Sequence, residues 1–77
     1  EMNNVELYKN LQDNYLNDVI KNKEVVEINL INGLILTAKI VKFDNFSILI
    51  NYNNNLTLLY KHSISYISSK NIKKNKK

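Results

Sequence analysis

Val26-Glu27-Ile28-Asn29-Leu30-Ile31-Asn32-Gly33-Leu34-Ile35-Leu36 is the stretch that decides the fold. Val26, Ile28 and Leu30 alternate with Glu27 and Asn29, the period of a strand with one buried face. Asn32-Gly33 interrupts the run, and Gly33 is the one glycine in the chain. Asn-Gly between alternating segments signals a hairpin, because a type I′ turn needs positive φ at both central residues. A long second strand over 34–43 follows, with Leu34, Leu36, Ala38 and Ile40 on one face.

The same period continues downstream. Asp44-Asn45 reads as a turn, and residues 46–52 as a third strand with Ile48, Ile50 and Tyr52 on one face. Asn53-Asn54-Asn55 is a further turn, since Asn tolerates the left-handed region. Leu56 to Tyr60 is a fourth strand, Lys61-His62 breaks the pattern, and Ile64 to Ile67 is a short fifth. Upstream the period is helical. Leu7, Leu11, Tyr15, Leu16, Val19 and Ile20 trace one face, which predicts a helix over about 8–21 after a frayed start at residues 1–6. One helix and then five antiparallel strands fit a small, strongly bent barrel. The expected organisation is one domain over 8–68 and a disordered Lys-rich tail over 69–77.

Composition narrows the function. The chain has 77 residues, no Cys and one His (His62). No disulfide and no Cys/His zinc site is expected, and no cofactor. A chain this short buries little apolar surface, so oligomerisation is the expected remedy. Strand exchange in a closed ring of identical subunits would also cover the sheet edges. No apolar run is long enough for a membrane span or signal core, so a cytoplasmic protein with no membrane contact is expected. Hydrolytic chemistry lacks its parts: no Gly-rich nucleophile turn and no phosphate-cradling loop are present. An enzyme is not expected.

The charge is unevenly spread. Net charge is +4, and all eleven basic residues are Lys. Lys70, Lys73, Lys74, Lys76 and Lys77 lie in the tail; subtracting those five from +4 leaves −1 for residues 1–69. Binding is the better-supported class. Phe43-Asp44-Asn45-Phe46 sets two aromatics about a turn, and Tyr60-Lys61-His62 joins an aromatic, a cation and an imidazole at a strand break. Aromatics that stack bases beside cations that meet phosphates are how proteins hold single-stranded RNA. From the residues alone, the plainer reading puts Phe43 and Tyr60 in the core and the others on the surface.

A resemblance shifts that balance. Leu11-Gln12-Asp13-Asn14-Tyr15-Leu16-Asn17, Leu30-Ile31-Asn32-Gly33, Phe43-Asp44-Asn45-Phe46 and Tyr60-Lys61-His62-Ser63-Ile64-Ser65 resemble segments of the Hfq family, the bacterial Sm-like RNA chaperones. The likeness covers about residues 8 to 67. It implies an Sm-like fold, a homohexameric ring, and binding of uridine-rich small RNAs and messenger RNA on a proximal face. The residues it carries over to that face are Gln12, Asn45, Phe46, Tyr60, Lys61 and His62, with Phe46 stacking a base and Gln12 bonding a base edge. Asp13 would cap the helix or position Lys61 and Gln12.

The resemblance also implies a distal, adenine-rich site at Asn29, Leu30, Asn32, Gly33, Leu34, Thr37 and Thr57. Departures there predict weak or altered binding. Asn29 stands where an aromatic is common, Ile35 follows Leu34 where Lys or Gln is common, and Thr37 and Thr57 replace Gln. A rim site is implied at Asn17, Lys21 and Lys23, reduced because Ile20 occupies a common Arg position and Lys lacks the planar guanidinium. A ring that keeps the fold as an interaction scaffold, with reduced RNA binding, is the alternative.

Overall fold

The switch from helical to alternating periodicity falls at a helix end closed by specific hydrogen bonds. The computed structural model describes residues 4–69, with side chains from residue 9 onward. Helix α1 spans Asn4–Lys21. It starts four residues before the expected position. Val5 to Tyr8 contain no Gly or Pro, and extending an existing helix by one turn is inexpensive compared with nucleating it. At its other end Lys23 N–H donates to the Ile20 carbonyl (3.1 Å) and Glu24 N–H to the Val19 carbonyl (3.0 Å). These are the paired bonds of a Schellman motif, and its left-handed position is held by Lys23 at φ 54° instead of by a glycine.

Five strands follow: β1 (Val25–Leu30), β2 (Ile35–Phe43), β3 (Ser47–Tyr52), β4 (Asn55–Tyr60) and β5 (Ile64–Ser69). A short 3-10 turn, Lys61–Ser63, separates the last two. All pairings are antiparallel, in the order β4-β3-β2-β1-β5. Two bulges bend the sheet. Ile40 pairs with Ile50 and Lys42 with Leu49, which leaves Val41 as the extra residue of β2. Asn29 pairs with Tyr66 and Leu30 with Ile64, which leaves Ser65 extra in β5. An unpaired residue kinks its strand and raises its twist, so nine-residue β2 serves both halves of the bend. The expected helix and bent five-stranded sheet are therefore present.

The turns differ in detail. Asn32-Gly33 does not form a type I′ turn. Gly33 N–H donates to the Leu30 carbonyl (3.0 Å) and Leu30 N–H to the Leu34 carbonyl (2.8 Å). Gly33 has φ +95°, whereas Asn32 is not among the positive-φ residues. The loop is thus the three-residue type, a type I turn closed by a left-handed glycine. Leu34 N–H also donates to Asn32 Oδ1 (3.1 Å), which holds Leu34 in the loop and leaves its side chain exposed instead of on the core face of β2. The type I′ geometry occurs at Asn53-Asn54, with φ of 53° and 66°, between the paired Tyr52 and Asn55.

The core consists of Leu16, Val19, Val26, Ile28, Ala38, Ile40, Ile48 and Ile50, with Tyr15, Ile20, Leu36, Phe43 and Leu59 among the side chains packed around it. Tyr15, Leu16, Val19 and Ile20 of the helical apolar face reach the core, whereas Leu11 remains 58% exposed. The Tyr15 hydroxyl and Ser69 Oγ, 2.6 Å apart, tie the helix to the end of β5. β5 runs two residues past its expected end because Ser68 and Ser69 pair with Glu27 and Val26. Ser69 therefore belongs to the sheet, and the tail from residue 70 on lies outside the described residues.

Candidate nucleic-acid interface

The loop between β2 and β3 is built on one carboxylate. Asp44 Oδ1 accepts the backbone N–H of Phe46 (2.9 Å) and of Ser47 (2.8 Å). Asp44 N–H donates in turn to the Ser47 carbonyl at 2.9 Å. An Asp that opens a turn and accepts N–H groups two and three residues on is the standard Asx arrangement. Those two hydrogen bonds, from Phe46 and then Ser47, hold the Asp44 carboxyl below the usual carboxylate range; nearby Lys61 adds to the effect and desolvation opposes it. The bend leaves Asn45 exposed and the Phe46 ring 74% exposed.

The strand break after β4 lies beside this loop. Lys61 N–H donates to the Phe46 carbonyl at 2.8 Å, extending the pairing of Ser47 with Tyr60. The Lys61 ammonium stands 5.2 Å from the centroid of the Phe43 ring, a cation–π distance. Tyr60 and His62 stack with ring centroids 6.2 Å apart. Tyr60 is more than half exposed, so it is not the core residue that the plainer reading makes it; Phe43, half-buried against the core, is.

Gln12 comes from the helix to the same place. It lines an open groove of about 250 Å³ with Lys61, Tyr15, Ile64, Ser65 and Tyr66. Asp13 does not face Gln12 or Lys61 in any bond; it pairs with Lys9 at 3.2 Å, one helical turn back. Gln12 comes from the helix, Asn45 and Phe46 from the Asp44 loop, Tyr60 from the end of β4, and Lys61 and His62 from the 3-10 turn. Of these only Gln12 and Lys61 line that groove; exposed Phe46 joins Lys61 through the backbone bond, and His62 stacks on Tyr60, which lines a second groove. An amide, an exposed aromatic and a cation are the groups that base-edge hydrogen bonding, base stacking and phosphate attraction use. No group of His, Asp or Glu among the described residues could hold a metal ion.

The other candidate residues are less gathered. Asn29 is 9% exposed, and its Nδ2 reaches the Tyr66 carbonyl at 3.5 Å. It is a packed strand residue and not a free surface amide. Leu30 and Asn32 line a second groove with Ile31, Leu58, Leu59, Tyr60 and Ser63, whereas Leu34, Thr37 and Thr57 lie outside it. Gly33 serves the turn. Ile31, Leu34 and Ile35 are all exposed at the hairpin, an apolar cluster. On the helix side, Asn17, Lys21 and Lys23 are exposed, while Ile20 packs on the core. Sequence reasoning missed the work of Asp44 and the Phe43–Lys61 contact; the Asp-x-aromatic spacing across a turn was the available signal for the first.

Residues 11–74 match the Hfq protein family. The chain belongs to the Hfq family. Two curated RNA-binding Hfq proteins are each 48% identical to it: that of Natranaerobius thermophilus over 58 residues, 75% of this chain and 69% of that protein, and that of Mesorhizobium japonicum over 59 residues, 77% and 73%. The fold is similar to a crystal structure of the pleiotropic translational regulator Hfq, with TM-score 0.73 and 28% identity over 75% of this chain and 97% of the other. The match takes in Gln12, the Asp44 loop and the Lys61 turn together. Both of these curated relatives are RNA-binding proteins. None of the described helices is long and apolar enough to cross a membrane.

Proposed function

We propose that this Hfq-family chain binds uridine-rich single-stranded RNA on the face formed by Gln12, Asn45, Phe46, Tyr60, Lys61 and His62. The observation that carries the reading is the meeting of three separate segments there. Gln12 and Lys61 line one groove, and the Lys61 backbone is bonded to that of exposed Phe46. Uracil fits this set: a small base stacks on Phe46 while its edge accepts and donates to side-chain amides. The binding unit is residues 8–68, and the tail of 69–77 adds non-specific attraction for phosphate. Such a protein brings small RNAs and messenger RNAs together in the cytoplasm and regulates translation without covalent chemistry. Asn17, Lys21 and Lys23 form a modest rim contact.

The active form is a homohexameric ring. The strand order makes β4 and β5 the free edges of the sheet. Leu56 and Leu58 on β4 and Tyr66 on β5 are exposed apolar side chains along those edges. Joining β4 of one copy to β5 of the next satisfies both rows of backbone groups and repeats head to tail until it closes. A second reading, a ring acting mainly as a scaffold, is favoured by one observation: the hairpin presents Ile31, Leu34 and Ile35 where an RNA face would carry polar or aromatic groups.

Binding isotherms with oligo-uridine and oligo-adenine at fixed salt, for the parent and Lys61→Ala, test the proposal. Oligo-uridine affinity should fall much more than oligo-adenine affinity. Equal losses would count against the assigned face, and no measurable RNA binding by the parent would leave the scaffold reading standing. Native mass spectrometry should give the homohexamer; a stable monomer at micromolar concentration would refute the ring.

A further inference from the structure

An acid in the middle of an anion-binding face needs a reason. Asp44 is fully ionised at neutral pH, since its carboxyl is held below the usual range. It lies within electrostatic reach of Lys61, the cation of the face. Its charge opposes a phosphate and partly offsets Lys61, so on electrostatics alone its presence weakens RNA binding.

The geometry of Phe46 supplies the reason. With 74% of the residue exposed, the Phe46 ring is not held by packing within its own chain. The backbone from which it projects fixes its Cα–Cβ direction and so limits the ring to the staggered χ1 positions about that bond. That backbone is fixed by Phe46 N–H and Ser47 N–H on one oxygen of Asp44, by Asp44 N–H on the Ser47 carbonyl, and by Lys61 N–H on the Phe46 carbonyl. The carboxylate is the only side chain among these partners. We propose that Asp44 is a positioning residue: through the Phe46 and Ser47 amides it holds the backbone that carries the base-stacking ring, and so the place from which the ring projects, before RNA arrives. This deepens the function proposed above and rests on it. A stacking surface already in place spares the ordering cost that a mobile aromatic would incur on binding.

An uncharged acceptor of the same shape should do the same work. Asn at position 44 keeps a carbonyl oxygen for the two amides and removes the charge, whereas Ala removes the acceptor. The test is a double-mutant cycle on oligo-uridine affinity, using the full chain and the parent, Asp44→Ala, Phe46→Ala, the double variant, and Asp44→Asn. Thermal melting and native mass confirm that each variant is folded and assembled. Phe46→Ala and Asp44→Ala should each weaken binding by about tenfold, within what loss of one base–aromatic stack produces. On the Phe46→Ala background, Asp44→Ala should cost less than about twofold more, because coupled residues are not additive. Asp44→Asn should bind within about threefold of the parent.

Losses that multiply in the double variant would overturn the inference, as would an Asp44→Asn variant as weak as Asp44→Ala. Either leaves the RNA site itself intact. A Phe46→Ala variant that binds oligo-uridine like the parent would overturn the assigned RNA face, and the role of Asp44 with it. A misfolded Asp44→Ala leaves the decision to Asp44→Asn, whose parent-like affinity supports the inference and whose loss refutes it.

Discussion

Replacing Lys23 by Gly separates the stability of the helix end from its charge. Lys23 has φ 54°, and its N–H and that of Glu24 close α1 on the Ile20 and Val19 carbonyls. The left-handed region costs a residue with a Cβ about 1–2 kcal/mol, and Gly is free of that cost. Gly gives back part of the gain, about 0.5–1 kcal/mol, through the greater freedom of the unfolded chain. The net expectation is a stabilisation of about 0.5–1 kcal/mol. For a domain of this size that raises Tm by about 2–8 °C. Lys23→Ala is the control, since it removes the ammonium and keeps the strained φ. Melting is followed by circular dichroism at one protomer concentration, because an assembling protein has a concentration-dependent Tm. Gly above parent, with Ala at or below parent, is the expected order. A Gly variant that melts below the parent would refute the strained cap. The same pair reads the rim: both variants lose one exposed cation, so both should lose the same small amount of RNA affinity.

Other consequences are as direct. Ile28 is fully buried, and Ile28→Ala should cost about 2–5 kcal/mol in denaturant unfolding, whereas Phe46→Ala should change stability by less than about 0.5 kcal/mol. Because the folded-state carboxyl of Asp44 is lowered, its contribution is present above the unfolded value near 3.8 and is lost as pH falls through the folded value. Asp44→Asn should therefore flatten the acid limb of stability below about pH 4 and lower stability slightly near pH 7, where the ionised carboxylate contributes; an unchanged acid limb would contradict the two-amide contact. Deleting 70–77 should reduce the salt dependence of RNA binding, by about 0.7 in log–log slope for each lysine that meets a phosphate. An unchanged slope would make the tail a bystander.

Strand number and most of the core were legible because a two-residue period specifies which side chains share a face; the pairing of β1 with β5 was not. Loop geometry was not. Asn32-Gly33 fits both a two-residue type I′ loop and the last two positions of a three-residue loop, and the register of β1 on β2 chose the second. The doubly left-handed turn went to Asn53-Asn54, where tight pairing of Tyr52 with Asn55 leaves room for nothing longer. Leu11 shows a different limit. Periodicity tells which helix face is apolar and says nothing of how far a covering surface extends. The site was legible mainly through family resemblance, since no local pattern places Gln12 beside Lys61. Asp44 was read as a turn residue, which it is; that the turn fixes the backbone beneath an exposed ring follows only from the bonds to its carboxylate.

Charge placement explains why short-range base contacts, in the proposed function, should govern the affinity of the folded body while net charge governs only the approach. Residues 1–69 sum to −1, so the folded body has no long-range pull on a polyanion. Lys9 is engaged by Asp13. Lys61 lies over the Phe43 ring and feels Asp44. Asp44, however, is already directed at two N–H groups, whose dipoles partly offset its charge. The ammonium is then the less compensated member of the pair, and in the proposed ring each copy presents it beside an exposed Phe46. Attraction of that kind acts at contact distance and is screened over about 8–10 Å at physiological salt. Under the proposed function, stacking on Phe46 and base-edge bonding by Gln12 should therefore dominate the affinity of the body, and salt the affinity added by the lysines beyond residue 69.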